Sequence, residues 1–206
     1  MKNDIFQKLI YQLVSNLFVL PIYKFVFKGH LIGKENIPEK VSFVMVSNHG
    51  SLLDPPLLGH ALGRNISFMA KAELFKIPFL GFVIKACGAY PVKRGIADKN
   101  TIKTACKKLS DNNCIGIFID GTRQKNGRVN KPKQGAALLA FKNQKLLLPV
   151  AIVNSHRLIR FKLCIPIFSK IVIKVGKPVQ PPKSSSRDDL NSLTIKLQDN
   201  INNLIG

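Results

Sequence analysis

The sequence predicts a single layered α/β domain with a mixed, largely parallel sheet flanked by helices and preceded by an N-terminal amphipathic helix. Short apolar runs alternate with segments of helical periodicity along most of the chain, as in layered α/β domains. A length of 206 residues and a hydrophobic content of 46% suit one domain with a sizeable core. We expect strands near residues 25–33, 41–47, 66–70, 88–92, 114–119, 146–153 and 169–176. We expect helices near residues 55–63, 71–86, 98–111 and 134–143.

The N-terminal segment predicts an amphipathic helix over residues 4–20, and we expect Pro21 to end or kink it. Its helically spaced apolar residues are Phe6, Leu9, Ile10, Leu13, Leu17 and Leu20. A membrane-spanning helix needs about 20 predominantly apolar residues, and polar side chains at 7, 8, 12 and 16 interrupt this one. We therefore favour a helix lying in the plane of a membrane surface, with a core-packing helix as the alternative. A cleavable signal peptide is not expected, because no small-residue cleavage site follows a compact apolar segment.

The C-terminal segment predicts a linker followed by a second amphipathic helix. Residues 177–186 are rich in proline and serine, and Ser186 with Asp189 forms a capping-box-like helix start. The helix is expected to pack on the sheet, with a membrane contact as the alternative. We accordingly divide the chain into residues 1–24 as a membrane-associating helix, 25–180 as the α/β domain, and 181–206 as linker and C-terminal helix.

The stretch Asn-His-Gly-Ser-Leu-Leu-Asp at residues 48–54 places an imidazole and a carboxylate at a predicted strand-to-helix junction. His49 follows the apolar run 41–46, so it lies at the carboxyl end of a strand, where open α/β sheets place their sites. Asp54 precedes Pro55 and Pro56, which predicts an N-cap with proline in the first turn. His49 and Asp54 are either a general base with its orienting carboxylate or simply a histidine beside a helix cap.

Further blocks follow in a fixed order. They are Ala-Lys at 70–71, Gly-Ala-Tyr-Pro-Val-Lys-Arg-Gly at 88–95, Phe-Ile-Asp-Gly-Thr-Arg at 118–123 and Leu-Pro-Val-Ala at 148–151. With these blocks in this order, the chain resembles the glycerolipid acyltransferases that carry a His-x-x-x-x-Asp motif. The resemblance is greatest to the bacterial 1-acyl-glycerol-3-phosphate acyltransferases, and it covers about residues 25 to 180.

The resemblance implies transfer of a fatty acyl group from an acyl thioester to the free hydroxyl of 1-acyl-glycerol 3-phosphate, giving phosphatidate. It implies that His49 is the general base on the acceptor hydroxyl and that Asp54 orients it. No acyl-enzyme is expected, because the activated oxygen belongs to the substrate. Arg94 and Arg123 are implied phosphate contacts, with Lys71 as a third or as an ordinary exposed lysine. Gly121 and Thr122 serve either the phosphate or the developing oxyanion.

Two departures from the family pattern occur near the implied site. The third block usually reads Phe-Pro-Glu-Gly-Thr-Arg, and here Ile119 replaces proline while Asp120 replaces glutamate. Asp120 keeps the charge but is one methylene shorter, so it remains a substrate-site candidate whose contact is open. Lys93 precedes Arg94 where an acidic or neutral residue is more usual, and it adds positive charge.

A formal net charge of +21 predicts an anionic partner. Anionic lipid headgroups, an acidic acyl carrier protein and nucleic acid all fit, but no nucleic-acid-binding motif is present. No nucleic-acid partner is expected, and we place the protein at the cytoplasmic face of a membrane, peripheral or monotopic. The basic stretch 125–133 either gathers anionic substrate or is a solvated loop. Alternatives are an acceptor such as glycerol 3-phosphate or a lyso-aminolipid, or a non-catalytic basic module that binds anionic membrane or nucleic acid.

The pattern of cysteines and histidines predicts neither a metal site nor a disulfide framework. Cys87, Cys106, Cys114 and Cys164 show no Cys-x-x-Cys spacing and suit small buried residues in a reducing cytosol. No cofactor is expected beyond the acyl-carrier-protein or coenzyme A thioester as co-substrate. The apolar segment 77–84 is interpreted as core, with the lining of an acyl-chain groove as the alternative.

Overall fold

The computed structural model describes residues 9–92, 99–158 and 169–206. Within these ranges, seven strands form one sheet in the order β1-β7-β6-β2-β5-β3-β4. The strands are β1 (His30–Ile32), β2 (Val44–Ser47), β3 (Ile66–Lys71), β4 (Tyr90–Val92), β5 (Cys114–Phe118), β6 (Leu147–Val153) and β7 (Val172–Val175). Each lies within or overlaps a predicted strand, so the predicted α/β class and the mixed, largely parallel sheet are confirmed.

The strand directions bring several loops to one edge of the sheet. Strands β2 to β6 run parallel, with β2 between β5 and β6. Their carboxyl ends therefore meet at one edge, which we call the carboxyl edge. Strand β7 runs antiparallel to β6, and β1 runs parallel to β7. The pairs Val153–Val172 and His30–Val172 show that β1 and β7 begin at this same edge.

Helices cover both faces of the sheet. Successive side chains of β2 alternate between two apolar clusters, Val44 and Val46 in one and Met45 in the other, and all three are fully buried. Helices α4, α5 and α6 contribute to the first cluster, while α1 and α2 contribute to the second. The helices are α1 (Leu9–Val26), α2 (Asp54–Leu62), α3 (Leu80–Ala86), α4 (Lys99–Ser110), α5 (Gly135–Asn143) and α6 (Arg187–Ile205).

Helix α1 continues through Pro21 instead of ending there. It contains two π-helical stretches, Ser15–Val19 and Ile22–Val26, and the Leu20 N–H donates to Ser15 O. Because proline has no N–H to donate, such wider turns let the helix pass it. Residues 25 and 26 are therefore helical, and the first strand begins only at His30. The segment 4–8 of the predicted helix lies outside the described residues.

The exposure of α1 is unusual for a helix of a small domain. Leu9–Val26 is, among the described residues, the one helix long and apolar enough to cross a membrane, and 11% of it is buried. One side contacts α2, where Ser15 Oγ lies 2.7 Å from His60 Nδ1 and Tyr11 packs on Gly59. The opposite side exposes large apolar side chains, namely Leu9, Leu13, Leu17, Phe18, Ile22 and Phe25.

The predicted helix over 71–86 is broken in two. A 3-10 turn, Ala72–Lys76, is separated from α3 by a γ-turn in which the Leu80 N–H donates to Pro78 O at 2.6 Å. Phe79, at the centre of that turn, has a φ of 61°. The interpretation of 77–84 as core is wrong for Ile77, Phe79, Leu80 and Phe82, which are all exposed.

The C-terminal helix α6 begins as predicted. The Ser186 side chain caps it by accepting from the Asp189 N–H at 3.1 Å. The Asp189 carboxylate, however, accepts from Ser184 instead of returning to the Ser186 N–H, so only half of the capping box forms. Leu193, Leu197 and Ile201 are buried, which confirms that α6 packs on the sheet.

Candidate active site

A histidine and an aspartate form a close pair at the carboxyl edge. His49 follows the central strand β2, and its Nδ1 lies 2.8 Å from Asp54 Oδ2. The same oxygen accepts from the backbone N–H groups of Gly50 at 2.7 Å and Ser51 at 2.9 Å. An ionised carboxylate only accepts hydrogen bonds, so the proton between the two side chains is carried by Nδ1. His49 Nε2 then has a free lone pair and can take a proton.

The Asp54 side chain does not cap α2 as the sequence predicted. Asp54 is the first helical residue, and Leu53 holds the cap position without a side-chain hydrogen bond. The Asp54 carboxylate turns back to the backbone of residues 50 and 51, away from the N–H groups of its own helix. Pro55 and Pro56 do occupy the first turn, as expected. The carboxylate is fully buried and serves the histidine segment, which favours the base-and-orienter interpretation.

Aromatic stacking fixes the plane of the imidazole. The ring of His49 lies on Phe118, with centroids 3.9 Å apart and an interplanar angle of 13°. Phe118 is in turn stacked on Phe68 at 5.5 Å. His49 is 8% exposed, so the ring is held on one side by aromatic packing and at Nδ1 by the carboxylate. Such a fixed ring orientation suits a group that acts on a bound substrate.

Asn48 joins the His49 segment to the loop that follows β5 through hydrogen bonds that no local sequence pattern predicted. Residues 121–133 form this loop, which we call the 121–133 loop. Asn48 Nδ2 donates to Gly127 O at 2.7 Å and Ile152 O at 2.9 Å, and its Oδ1 accepts from the Ile152 N–H. The Gln124 N–H also donates to His49 O at 2.8 Å. Because Asn48 is buried, these bonds hold the loop beside the imidazole.

Asp120 also holds the 121–133 loop through hydrogen bonds. Its Oδ1 accepts from the Lys131 N–H at 2.8 Å, and its Oδ2 accepts from the Asn130 N–H at 3.2 Å. The residue is 3% exposed, so both oxygens face the chain's own backbone. Asp120, which precedes the 121–133 loop, therefore joins the start of this loop to residues 130 and 131 near its end.

The other predicted site residues are brought to the same edge to different degrees. Gly121 and Thr122 are exposed and Arg123 is half-buried, all directly after β5. Lys71 ends β3, and its ammonium lies 3.6 Å from Glu73 Oε1. Arg94, together with Lys93, lies outside the described residues, as does Cys164. These positions leave the roles implied for Gly121, Thr122, Arg123, Arg94 and Lys71 as predictions.

Lys133, one of the cations of the basic stretch 125–133, also lies at this edge of the sheet. Its Nζ lies 3.1 Å from the position that a Cβ on Gly121 would occupy. The Lys133 N–H donates to Ile119 O at 2.9 Å, which returns the chain to the end of β5. Of the basic residues at 125–133, Lys133 therefore lies directly over the Gly-Thr-Arg turn.

A short 3-10 turn, Ser155–Arg157, covers the back of the His49 segment. A Cβ on Gly50 would stand 2.6 Å from the His156 backbone nitrogen, so only glycine fits there. The His156 ring lies against Gly127. Burial, reinforced by Arg157, lowers the pKa of His156 below its usual 6.5, while Asp54 acts in the opposite direction. The turn thus packs against both the His49 segment and the 121–133 loop.

The described residues contain no group of three or more His, Cys, Asp or Glu side chains that could hold a metal ion. In the same part of the chain, Cys114 is buried while Cys87 and Cys106 are half-buried.

The fold and the site together define an α/β protein with a hydrogen-bonded histidine–aspartate pair at the carboxyl edge of its sheet. Residues 29–153 match the family model described as Acyltransferase, and the chain belongs to the acyltransferase family. A 1-acyl-sn-glycerol-3-phosphate acyltransferase of Helicobacter pylori is 39% identical over 124 residues, 58% of this chain and 52% of that protein. A chloroplastic 1-acyl-sn-glycerol-3-phosphate acyltransferase of Arabidopsis thaliana is 30% identical over 156 residues, 74% of this chain and 42% of that protein.

A solved structure extends the similarity beyond the family-model range. The crystal structure of the 1-acyl-sn-glycerophosphate acyltransferase PlsC from Thermotoga maritima matches with a TM-score of 0.79 and 27% identity. The match covers 93% of this chain and 78% of that one. By contrast, the alignments with the Arabidopsis and Helicobacter proteins span 42% and 52% of those relatives' length.

Proposed function

We propose that this protein transfers a fatty acyl group from an acyl thioester to the free hydroxyl of 1-acyl-glycerol 3-phosphate, giving phosphatidate. The observation that carries the proposal is the 2.8 Å contact between His49 Nδ1 and Asp54 Oδ2, on an oxygen that two backbone N–H groups also hold. That geometry orients the ring and leaves Nε2 as the acceptor for a substrate proton. The similarity to 1-acyl-sn-glycerol-3-phosphate acyltransferases supports the choice of acceptor.

The reaction needs one proton relay and no covalent enzyme intermediate. The acceptor hydroxyl gives its proton to His49 Nε2 while its oxygen bonds to the thioester carbonyl carbon. The carbon–sulfur bond of the resulting tetrahedral intermediate then breaks, and the leaving thiolate takes the proton from His49. Asp54 stays ionised and stabilises the imidazolium that forms between these steps. A positioned base of this kind contributes about a hundred- to ten-thousand-fold.

The phosphate of the acceptor suits the cations at the carboxyl edge. Arg123 and Lys133 belong to the 121–133 loop, which Asn48 and Asp120 hold beside His49. Guanidinium and ammonium groups converging on one phosphate give charge-assisted hydrogen bonds that fix its position. Arg94 and Lys71 are further candidates for this contact, and Gly121 and Thr122 have donors for the phosphate or for the oxyanion.

Membrane association is part of the proposal, because the substrate is a lipid. The exposed apolar side of α1 lies opposite its contacts with α2, which suits a helix lying in the membrane surface. The net charge of +21 favours a leaflet with anionic headgroups, and the cytoplasmic leaflet carries such lipids. The acyl donor is a thioester of either an acidic carrier protein or coenzyme A.

The test is a transfer assay with purified protein, labelled lysophosphatidate and each of the two thioester donors. We expect phosphatidate from the parent protein and a loss of at least about a hundredfold in His49→Ala. His60→Ala is the matched control, because His60 is a half-buried histidine that contacts α1 instead of the site. Equal activity of His49→Ala and the parent would remove the mechanism. Faster transfer to glycerol 3-phosphate or to a lyso-aminolipid would show that the proposed acceptor is wrong, while the proposed role of His49 would stand.

A further inference from the structure

The segment after β3 exposes an apolar surface that the transfer mechanism does not use. Ile77, Phe79, Leu80 and Phe82 are 46%, 79%, 39% and 63% exposed, and we call these four side chains the γ-turn patch. Helix α3 has only Gly81 as a buried residue. Large apolar side chains are common in cores, whereas exposed groups of them are typical of surfaces that contact a protein or a membrane.

The γ-turn patch is held by strained backbone. Phe79 adopts φ 61° and ψ −56°, a conformation that residues with a Cβ rarely take. The Leu80 N–H donates to Pro78 O at 2.6 Å, and the Val83 N–H donates to Phe79 O at 2.9 Å. Glycine would adopt this turn without strain, yet the sequence places there a phenylalanine whose side chain points to solvent. Strain that serves no packing contact indicates a function for the exposed side chain.

Close packing keeps the γ-turn patch in a fixed position. A Cβ on Gly81 would collide with the backbone of Phe75, so α3 sits directly on the preceding 3-10 turn. The Gly81 N–H donates to Ile77 O at 2.8 Å. The patch is therefore a preformed surface that loses little conformational freedom on binding.

The γ-turn patch lies at the same edge of the sheet as His49. It follows the carboxyl end of β3, which runs parallel to β5 and so to β2. Helix α1 also ends at this edge, since β1 begins where β6 ends. The exposed side chains of Ile22 and Phe25, near the end of α1, therefore approach the same edge from another direction.

Charge around the γ-turn patch selects the partner. Lys71, Lys76 and Lys85 flank it along the chain and are exposed, and Glu73 is the only acidic residue in the described segment 69–92. Exposed apolar side chains flanked by lysines suit a bilayer surface, where the apolar groups enter the acyl boundary and the ammonium groups meet phosphate.

We propose that the γ-turn patch is a second membrane-contact surface, in which Phe79 and Phe82 insert into a bilayer containing anionic phospholipids and Lys76 and Lys85 contact the headgroups. This contact adds to the membrane association proposed for α1, and it does not depend on the transfer reaction. Two contacts on different elements fix the orientation of a protein on a surface, which one helix cannot do. The carboxyl edge with His49 then faces the leaflet that holds the lipid acceptor.

The first test uses tryptophan as a reporter, since the sequence contains none. Phe79→Trp places an indole in the patch, and Ile195→Trp places one on α6 at a residue that is also exposed. We add vesicles of phosphatidylcholine with phosphatidylglycerol and record the emission of each variant of the full chain. We expect a blue shift for the indole at position 79 and none for that at position 195. No shift at position 79 while the protein sediments with the vesicles would overturn the proposal.

The second test separates membrane contact from folding and from catalysis. Phe79→Gly relieves the strained φ, so its thermal unfolding midpoint should equal or exceed that of the parent. Its vesicle partition coefficient should fall about tenfold, from the loss of one buried aromatic side chain. Ile195→Ser should leave the partition coefficient unchanged, and Lys76→Gln with Lys85→Gln should weaken binding only to anionic vesicles. Unchanged partition of Phe79→Gly would contradict the proposal.

Further readouts distinguish other occupants. Transfer to a monodisperse short-chain acceptor should be the same in Phe79→Gly and the parent, while transfer on vesicles falls. A loss with the monodisperse acceptor would place Phe79 in the substrate site and overturn the proposal. If the parent forms dimers without lipid and Phe79→Gly does not, the patch is instead a contact with a second copy of the chain. If the parent transfers no acyl group but the indole of Phe79→Trp still shows the blue shift on vesicles, the proposed function fails and the membrane contact stands.

Discussion

The side-chain amide of Asn202 satisfies both backbone polar groups of Val129. Asn202 Oδ1 accepts from the Val129 N–H at 3.0 Å, and Asn202 Nδ2 donates to Val129 O at 3.0 Å. Gln198 Nε2 donates to the same carbonyl oxygen at 3.0 Å. The 121–133 loop is therefore bound to helix α6 at Val129 and to the carboxyl edge of the sheet by Asn48 and Asp120.

Asn202→Ala should loosen this loop. It leaves the buried Val129 backbone short of a partner, so the free energy of unfolding should fall by about 1–2 kcal/mol. Because the loop carries Arg123 and Lys133, we expect a higher KM for the lyso-acceptor with a smaller change in kcat. Steady-state kinetics and urea unfolding measure the two effects. Asn203→Ala, an exposed position on the same helix, is the control. Equal behaviour of the two variants would show that the amide does not position the loop.

Asp54→Asn should separate the negative charge beside His49 from the hydrogen bonds that orient it. The amide oxygen can replace Oδ2 as the acceptor for His49 Nδ1 and for the Gly50 and Ser51 N–H groups, but it carries no charge. The imidazolium that forms during transfer then loses its counter-charge, and kcat should fall about ten- to a hundredfold, because a hydrogen bond to a charged group is the stronger one. KM should change little, since Asp54 is fully buried. Asp111→Asn, on an exposed aspartate beyond α4, is the matched control. A loss of less than tenfold would remove Asp54 from the mechanism.

Gly50→Ala should affect both folding and activity. The new Cβ would meet the His156 backbone nitrogen at 2.6 Å, and backbone cannot move aside as a flexible side chain can. The Gly50 N–H would shift from Asp54 Oδ2, which tilts the carboxylate away from the imidazole. We expect the free energy of unfolding to fall by roughly 1–3 kcal/mol, which lowers the melting temperature. We also expect a large fall in kcat. Gly135→Ala, where a Cβ meets nothing within 4 Å, should be neutral. Normal kinetics in Gly50→Ala would contradict the close packing of the turn.

Stability should depend on pH through two histidines. Burial lowers the pKa of both His60 and His156 below the usual 6.5, so the folded state favours their neutral forms. Below that pH the unfolded chain binds more protons, and the free energy of unfolding falls as the pH decreases toward the lowered folded values. Above pH 6.5 the contribution is complete. Urea unfolding at a series of pH values should show a smaller acid loss in the double variant His60→Gln with His156→Gln. An unchanged slope would contradict the assignment.

Local sequence pattern was sufficient to predict most helices and strands and to place His49 and Asp54 at one strand-to-helix junction. The apolar runs that became the central strands β2, β5 and β6 were the clearest, because a strand buried on both faces needs little more than continuous apolar residues. His49 was correctly expected at the carboxyl end of β2. The exceptions are residues 25–26, which belong to α1, and the γ-turn at Phe79, which divides an expected helix. In both, backbone hydrogen bonds near a proline replaced the local preference.

The sequence by itself determined the α/β class, the order of the strands along the chain and the spacing of His49 and Asp54, because these depend on periodicity and on neighbouring residues. Only the tertiary structure decided which oxygen of Asp54 serves the imidazole and which residues hold the 121–133 loop. It also decided that Lys133 lies over Gly121 and that Phe79 is exposed. The Asn202–Val129 contact joins residues 73 positions apart, and hydrogen bonds over such separations depend on how helices pack on the sheet. No local pattern records that packing.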